Sequence, residues 1–207
     1  MAAEAAADLI EDGMSVGLGT GSTVAHLLAA VARRGRDIRC VSTSPRTEEA
    51  ARGLGIRTES FDDVTALDLA IDGADQVSPD WWLVKGGGAA HTREKLVAAA
   101  AERFVVIVDS TKLVERITAP VPLELLAFGL GSTLARLGDA ALRDVPRTPD
   151  GGVIADYTGP VADPAALANL LSATAGVVDH GLFPPTMVAA IVVGEGDEAR
   201  WLERLPG

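Results

Sequence analysis

Along the first half of the chain, short apolar runs alternate with helical segments, and each run ends in a polar or glycine-rich loop. Met14 to Leu18, Ile38 to Val41, Leu67 to Asp72, Leu83-Val84 and Phe104 to Val108 read as strands. Residues 2–11, Val24 to Arg34, Thr47 to Leu54 and Thr92 to Ala101 read as helices. In the second of these, Val24, Leu27, Leu28 and Val31 share one face. Strands that are apolar throughout are buried on both sides, which calls for a parallel sheet with helices on both faces. The expected fold is therefore α/β, built on a Rossmann-like sheet. In such sheets ligands bind at the carboxyl ends of the strands. Thr20 to Thr23, Ser42 to Ser44, Asp72 to Asp75, Lys85 to Gly88 and Asp109 to Lys112 are all expected there.

The texture changes at Ala119-Pro120-Val121-Pro122. A strand (Val121 to Leu126), a helix (Ser132 to Leu137) and two strands (Leu142 to Arg147, Val153 to Tyr157) follow. A helix (Pro164 to Ala173) and a strand (Val177 to Phe183) complete a β-α-β-β-α-β order, the ferredoxin-like α+β pattern. Val188 to Val193 is a further apolar strand able to return to the first sheet, with Glu198 to Leu205 as a closing helix. The expected division is 1–118 with 184–207 as the Rossmann-like catalytic domain and 119–183 as the smaller domain.

Composition narrows the class of function. Lys and Arg number 18 against 29 Asp and Glu, a net charge of -11. Such a surface repels a phosphate backbone, so nucleic acid is not an expected partner. It leaves room for a small phosphorylated molecule, which needs only a local set of donors. One cysteine, Cys40, makes no intrachain disulfide and reads as a small core residue. The longest uncharged run, Gly13 to Ala32, holds four glycines, and Glu4 and Asp8 stand where a signal peptide is basic. The expectation is a cytoplasmic protein with no membrane segment. His26, His91 and His180 have no metal-ligand spacing, and Trp81-Trp82 reads as packing or subunit contact.

Four motifs carry chemistry. Gly19-Thr20-Gly21-Ser22-Thr23 lies between a strand and a helix. Glycines let a ligand approach the backbone, and a helix start offers N–H groups to an anion. The loop is neither a Walker loop nor a full dinucleotide fingerprint, and an N-capped helix start is the alternative. Asp72-Gly73-Ala74-Asp75 sets two carboxylates three apart, suited to acid–base work, to sugar hydroxyls or to a metal. A solvated turn with Asp75 as a cap is the other reading. Lys85-Gly86-Gly87-Gly88 is costly to order and makes sense where a ligand meets backbone. Glu94 follows it, in the first turn of a helix that Thr92 caps. There it serves either the helix dipole or proton abstraction next to a carbonyl. Lys112 in Asp109-Ser110-Thr111-Lys112 is an exposed lysine or a contact to an anion.

Together these strings resemble the A-type ribose-5-phosphate isomerases. The matching residues are Gly17 to Thr23, Ile71 to Asp75, Lys85 to Ala90 and Thr92 to Lys95, in the family's order. Asp109 to Lys112 and the segment from Gly176 to Phe183 are also similar. The resemblance implies interconversion of D-ribose 5-phosphate and D-ribulose 5-phosphate, with no metal and no organic cofactor. It implies that Glu94 is the base, moving a proton from C2 to C1 through a cis-enediolate. Lys85 and the amides of Gly86, Gly87 and Gly88 stabilise charge on oxygen. Asp72, Gly73, Ala74 and Asp75 bind hydroxyls, and Asp72 assists ring opening. Thr20, Gly21, Ser22 and Thr23 cradle substrate, with phosphate near Ser22 and Thr23, and Lys112 adds positive charge. A homodimer or homotetramer is implied as well. The alternative is a non-catalytic sugar-phosphate sensor or scaffold of the same fold. That reading lacks a DNA-binding segment and gives no reason to keep Glu94 with Lys85.

Departures from the family pattern are local. Residues 1–10 carry no lysine, and Gln76 replaces an acid after Asp75. The small-domain turn is Thr148-Pro149-Asp150-Gly151-Gly152, and the basic helix of that domain keeps only Arg136. They bear on phosphate affinity, small-domain contacts and substrate preference, and leave the implied catalytic set intact.

Overall fold

A computed structural model describes residues 1–203. The elements open with α1 (Ala2–Ala7), β1 (Ser15–Leu18), α2 (Ser22–Arg34), β2 (Arg39–Ser42) and α3 (Pro45–Gly53). Then come β3 (Leu67–Asp72), β4 (Gln76–Val77), β5 (Leu83–Val84), α4 (His91–Ala100), β6 (Ala101–Asp109) and a 3-10 turn, Ser110–Lys112. Next are β7 (Val121–Leu125), α5 (Leu130–Leu137), β8 (Ala140–Leu142), β9 (Val153–Tyr157) and α6 (Pro164–Ala173). The chain continues through β10 (Val177–His180), β11 (Leu182–Phe183), β12 (Ala190–Glu195) and β13 (Glu198–Glu203).

The residues fall into two compact units. The first comprises Met1–Ala74, Arg93–Lys112 and the segment from Thr186; the second comprises Asp75–Thr92 and Leu113–Pro185. Segments 75–92 and 113–118, expected with the first domain, pack with the second unit. The reason is local pairing: Val114 N–H bonds Val77 O, and Gln76 bonds both backbone groups of Thr118.

The first unit is a six-stranded sheet in the order β13-β12-β6-β3-β1-β2. Neighbours from β12 to β2 are parallel, and β13 is an antiparallel edge. Val105, Ile107 and Val192 are fully buried, as the continuous apolar runs require. The expected return of an apolar strand to this sheet is made by β12. The expected closing helix is instead β13 through residue 203, and residues 204 and 205 lie outside the described residues. Gly196, at φ +57°, opens a two-residue hairpin, and pairing with β12 overrides the helix-forming residues of the segment. Helix α1 is shorter than expected. Its Glu4 is tied to Arg34 and Arg33 of α2, and Asp8, just past its end, to Arg34; the Arg34 hydrogen bond first, then the charge of Arg33, holds the Glu4 carboxyl below its usual range.

The second unit contains the ferredoxin-like sheet, β10-β7-β9-β8, antiparallel throughout. Its core gathers Val121, Leu123, Leu125, Leu167 and Leu171, with Trp82 packed against it. The strand expected over 142–147 is replaced by the earlier and shorter β8. The strand expected from Val177 to Phe183 breaks at Gly181 and serves two sheets. Gly181 N–H bonds Pro122 O at 2.7 Å and its carbonyl accepts Lys85 N–H at 2.8 Å. A Cβ there would lie 2.1 Å from Lys85 O. Beyond the break, β11 joins β5 and β4 in a three-stranded antiparallel sheet.

Candidate active site

In the first unit the parallel register aligns the carboxyl ends of β1, β2, β3 and β6 along one edge. Asp72 ends β3 and is buried, 3% exposed. Its Oδ1 accepts N–H bonds from Thr20 (3.1 Å) and Gly73 (2.7 Å). Gly19 makes this approach possible, because a Cβ at that position would lie 1.9 Å from the Asp72 carboxyl carbon. The Thr20 hydroxyl lies 2.8 Å from that of Thr43, 2.9 Å from Ser44 and 3.4 Å from Thr47. The chain thereby ties the loop after β1 to the start of α3.

Gly21 is the N-cap of α2, at φ +130°, and no side chain caps the helix. Ser22 and Thr23 form its first turn. The helix start is N-capped by glycine backbone, with no side-chain acceptor at the cap. Ala74 is half-buried at the end of the first unit's opening segment.

Glu94 lies in the first turn of α4 and is buried, 4% exposed. Val97, one turn on, packs where a Cβ on Gly17 would come within 2.3 Å of it. Helix α4 thus sits directly against β1. It ends where β6 begins, at the amino edge of the sheet, so its first turn points toward the carboxyl edge. Glu94 stands about 4.5 Å further that way than Val97. Thr92, expected as the cap, lies inside the helix, which begins at His91. Lys112 ends the 3-10 turn after β6, half-buried. There the Asp109 carboxyl is held below its usual range by the Thr111 hydroxyl and N–H, with a smaller contribution from the charge of Lys112.

In the second unit, Asp75, Lys85, Gly86, Gly87 and Gly88 come together. This corrects the expectation that Lys85 follows a strand of the parallel sheet. Strand β5 is two residues long and pairs antiparallel on both sides, so its end lies in the small sheet. Lys85 is 3% exposed, with its Nζ 5.5 Å from the centre of the Phe183 ring. Asp75 is exposed and caps no helix. Its N–H bonds Val84 O, and its Oδ2 accepts Gly87 N–H at 2.7 Å. Gly86 has φ +105°, and a Cβ on it would meet His91 Nδ1 at 2.6 Å. Asp72 and Asp75, paired by sequence spacing, therefore belong to different units with different partners.

Reading the sequence missed Thr47 and Arg143. Thr47 stands three residues after the helix-capping Ser44, a spacing that could have flagged it. Arg143 donates to the carbonyls of Gly86 and Gly87, and no motif surrounds it. Cys40 is a core residue, its thiol pushed up to about 12 by burial and by the charge of Glu59. Gln76 donates to Thr118 O and accepts from Thr118 N–H, both at 2.9 Å. A carboxylate makes only the second of these bonds. Among the described residues, no group of three or more His, Cys, Asp or Glu is placed to hold a metal, and no helix is long and apolar enough to cross a membrane.

Strand-end loops on a parallel sheet, together with a glycine turn beside a buried lysine, place the chain among the α/β proteins that handle small polar ligands. Comparison with known proteins makes the class specific. The sequence model of the family described as ribose 5-phosphate isomerase A (phosphoriboisomerase A) matches residues 39–198. A ribose-5-phosphate isomerase A of Caulobacter sp. strain K31 is 49% identical over 195 residues, covering 87% of this chain and 86% of the relative. A solved ribose 5-phosphate isomerase A from Neisseria gonorrhoeae superposes with a TM-score of 0.93 at 31% identity, over 99% of this chain and 95% of that one. A D-ribose-5-phosphate isomerase solved in complex with phospho-erythronic acid superposes with a TM-score of 0.91 at 35% identity, over 98% and 96%. The chain belongs to the ribose 5-phosphate isomerase A family.

Proposed function

We propose that Glu94 is the base with which this chain interconverts D-ribose 5-phosphate and D-ribulose 5-phosphate. The reaction follows from family membership: the chain is an aldose–ketose isomerase, and the non-catalytic reading is not favoured. The assignment of the base is carried by one observation, the burial of Glu94 in the first turn of α4 at the carboxyl end of the sheet. Glu94 takes the C2 proton of the open-chain aldose and returns it to C1 through a cis-enediolate. One carboxylate serves both carbons, as general base and then general acid.

The remaining roles follow the same reading. Asp72, held by two backbone N–H groups, binds a sugar hydroxyl and assists ring opening. Gly73, Ala74 and Asp75 line the hydroxyl-binding stretch. Thr20, Gly21, Ser22 and Thr23 cradle the substrate, with phosphate at the start of α2, which no side chain caps and where N–H groups and the helix dipole favour an anion. Lys85 and the amides of Gly86 and Gly88 stabilise charge on the enediolate oxygens, while the Gly87 N–H, held by Asp75, keeps the turn in place. Lys112 adds positive charge. A phosphorylated sugar acid such as phospho-erythronic acid is the expected inhibitor. Its planar, charged carboxylate imitates the C2 end of the enediolate, with one oxygen at O2 and the other near C1. The working form is a cytoplasmic homodimer or homotetramer; light scattering checks the oligomeric state, and fractionation of cells checks the compartment.

Proton NMR of ribose 5-phosphate in D₂O tests the base. The protein is expected to form ribulose 5-phosphate with deuterium incorporation, and Glu94→Gln to lose both by about 10³-fold. Equal product from the variant removes Glu94 from the role.

A further inference from the structure

The second unit contains a half-buried ion pair that the mechanism above does not use. Arg143 follows β8, and Asp156 sits in β9, in register with Ala141. Two bonds join their side chains: Arg143 Nε to Asp156 Oδ2 at 3.0 Å and Nη2 to Oδ1 at 2.5 Å. Each side chain is 21% exposed. This two-pronged contact fixes the plane of the guanidinium. Arg143 N–H, bonded to Ile154 O at 3.0 Å, anchors the backbone from which it reaches.

One nitrogen of the guanidinium remains, and it is spent on the glycine turn. Arg143 Nη1 donates to Gly86 O at 2.9 Å and to Gly87 O at 3.2 Å. A peptide is planar and trans, so its C=O and N–H point in opposite directions. The Gly86–Gly87 peptide is therefore gripped at both ends, its carbonyl by Arg143 and its N–H by Asp75. The Gly87–Gly88 peptide is gripped at its carbonyl alone, which aims Gly88 N–H away from the guanidinium. Ala89 N–H closes the turn on Gly86 O at 3.0 Å. A cation on a peptide carbonyl also polarises that peptide and makes its N–H a stronger donor.

We propose that Arg143, locked by Asp156, is a positioning residue that orients the Gly87–Gly88 peptide so that its N–H donates to an enediolate oxygen. The inference rests on the reading that gives the glycine-loop amides that charge to stabilise. Lysine cannot replace Arg143. Its single ammonium lacks the planar fork that reaches a carboxylate and two carbonyls at once.

The test compares Arg143→Ala, Arg143→Lys and Asp156→Asn with the unaltered enzyme. It measures kcat and KM for ribose 5-phosphate and Ki for phospho-erythronic acid. For both Arg143 variants kcat is expected to fall about 100-fold, the cost of one misdirected oxyanion donor. KM stays within about threefold, and Ki rises in step with the loss of kcat. Asp156→Asn keeps the guanidinium but loosens its plane, so it moves both constants the same way by less. Damage to folding lowers the active fraction and kcat but leaves Ki unchanged, and that pattern overturns the proposal. Unchanged kcat and Ki in Arg143→Lys overturn it as well. If Arg143→Ala does not fold, the other two variants carry the same comparison. An unaltered enzyme that does not isomerise ribose 5-phosphate removes the parent reading, a result separate from any effect at Arg143.

Discussion

Asp72 in the first unit and Gly87 in the second are fixed by the same kind of bond used in opposite senses. Around Asp72 the backbone holds a side chain: the N–H groups of Thr20 and Gly73 fix the carboxylate, and the strand ends fix those N–H groups. Asp68 repeats the device, accepting from Ser15 N–H and Ser15 O–H, both at 2.7 Å. Around Gly87 the side chains hold the backbone. Asp75 takes its N–H, and Arg143 takes its carbonyl and that of Gly86. Thr148 repeats this second device, accepting from Gly152 N–H at 2.9 Å while donating to Glu124 at 2.5 Å. A parallel sheet supplies ordered N–H groups where its strands end. A glycine turn supplies no order of its own, and side chains from neighbouring elements must provide it.

The comparison breaks most easily at Gly19. In Gly19→Ala the new Cβ would fall 1.9 Å from the Asp72 carboxyl, so the carboxylate must leave its two N–H donors. A loss of about 100-fold in kcat/KM is expected, with about 1–3 kcal/mol of stability. An active, stable Gly19→Ala would mean that the backbone does not dictate where Asp72 sits. The second unit offers a smaller effect, with kinetics spared. Thr148→Val leaves buried Glu124 without its hydroxyl donor and Gly152 N–H without its acceptor. Denaturant titration should show about 1–3 kcal/mol lost, with kcat within about twofold. A drop in kcat as large as that of the Arg143 variants would show that the turn at 148–152 also serves the reaction.

The smallest expected effect concerns Asp68, whose carboxyl is held below its usual range by Ser15 N–H and then by the Ser15 hydroxyl. A lowered folded-state pKa adds stability above the unfolded pKa, and that stability is lost as pH falls through the folded value. Asp68→Asn should therefore melt lower than the unaltered protein at pH 7. The gap should start to narrow near pH 4, the unperturbed aspartate value, and go on narrowing as pH falls through the lower folded-state value. A gap of the same size at pH 6 and at pH 2 would mean that packing, not charge, ties Asp68 to Ser15.

The sequence was legible where local chemistry and tertiary structure agree. Val105, Ile107 and Val192 announced a sheet covered on both faces, and Gly19 and Gly21 announced a tight strand-to-helix loop. The order of elements from Val121 to Phe183 announced the ferredoxin-like sheet. It misled where pairing partners decide. Glu198 to Glu203 is rich in helix formers, yet a two-residue turn delivers it to β12 as a strand. Leu83-Val84 looked like the other apolar runs, but its partners, Gln76-Val77 and Leu182-Phe183, put it in a separate sheet. Asp72 and Asp75 looked like a pair because they are three apart, and the unit boundary passes between them. Arg143 and Asp156 were invisible. They are 13 residues apart, and only the register of β8 with β9 makes them partners.

The way the chain threads its two units sets the order in which they can be finished. The first unit begins with the first residue, but its sheet takes β12 and β13 from the segment after Thr186. The second unit has all its residues by Pro185. On a ribosome, where chains emerge at about 5–20 residues per second, the unit started first is completed last. Until Ala190 to Glu195 emerge, β6 has β3 on one side and an open edge on the other. That edge carries the unbroken apolar run Phe104 to Val108 and awaits a partner, the kind of edge that other chains can pair with. The interval between the emergence of residue 109 and that of residue 190 is therefore the time for which this edge stays open.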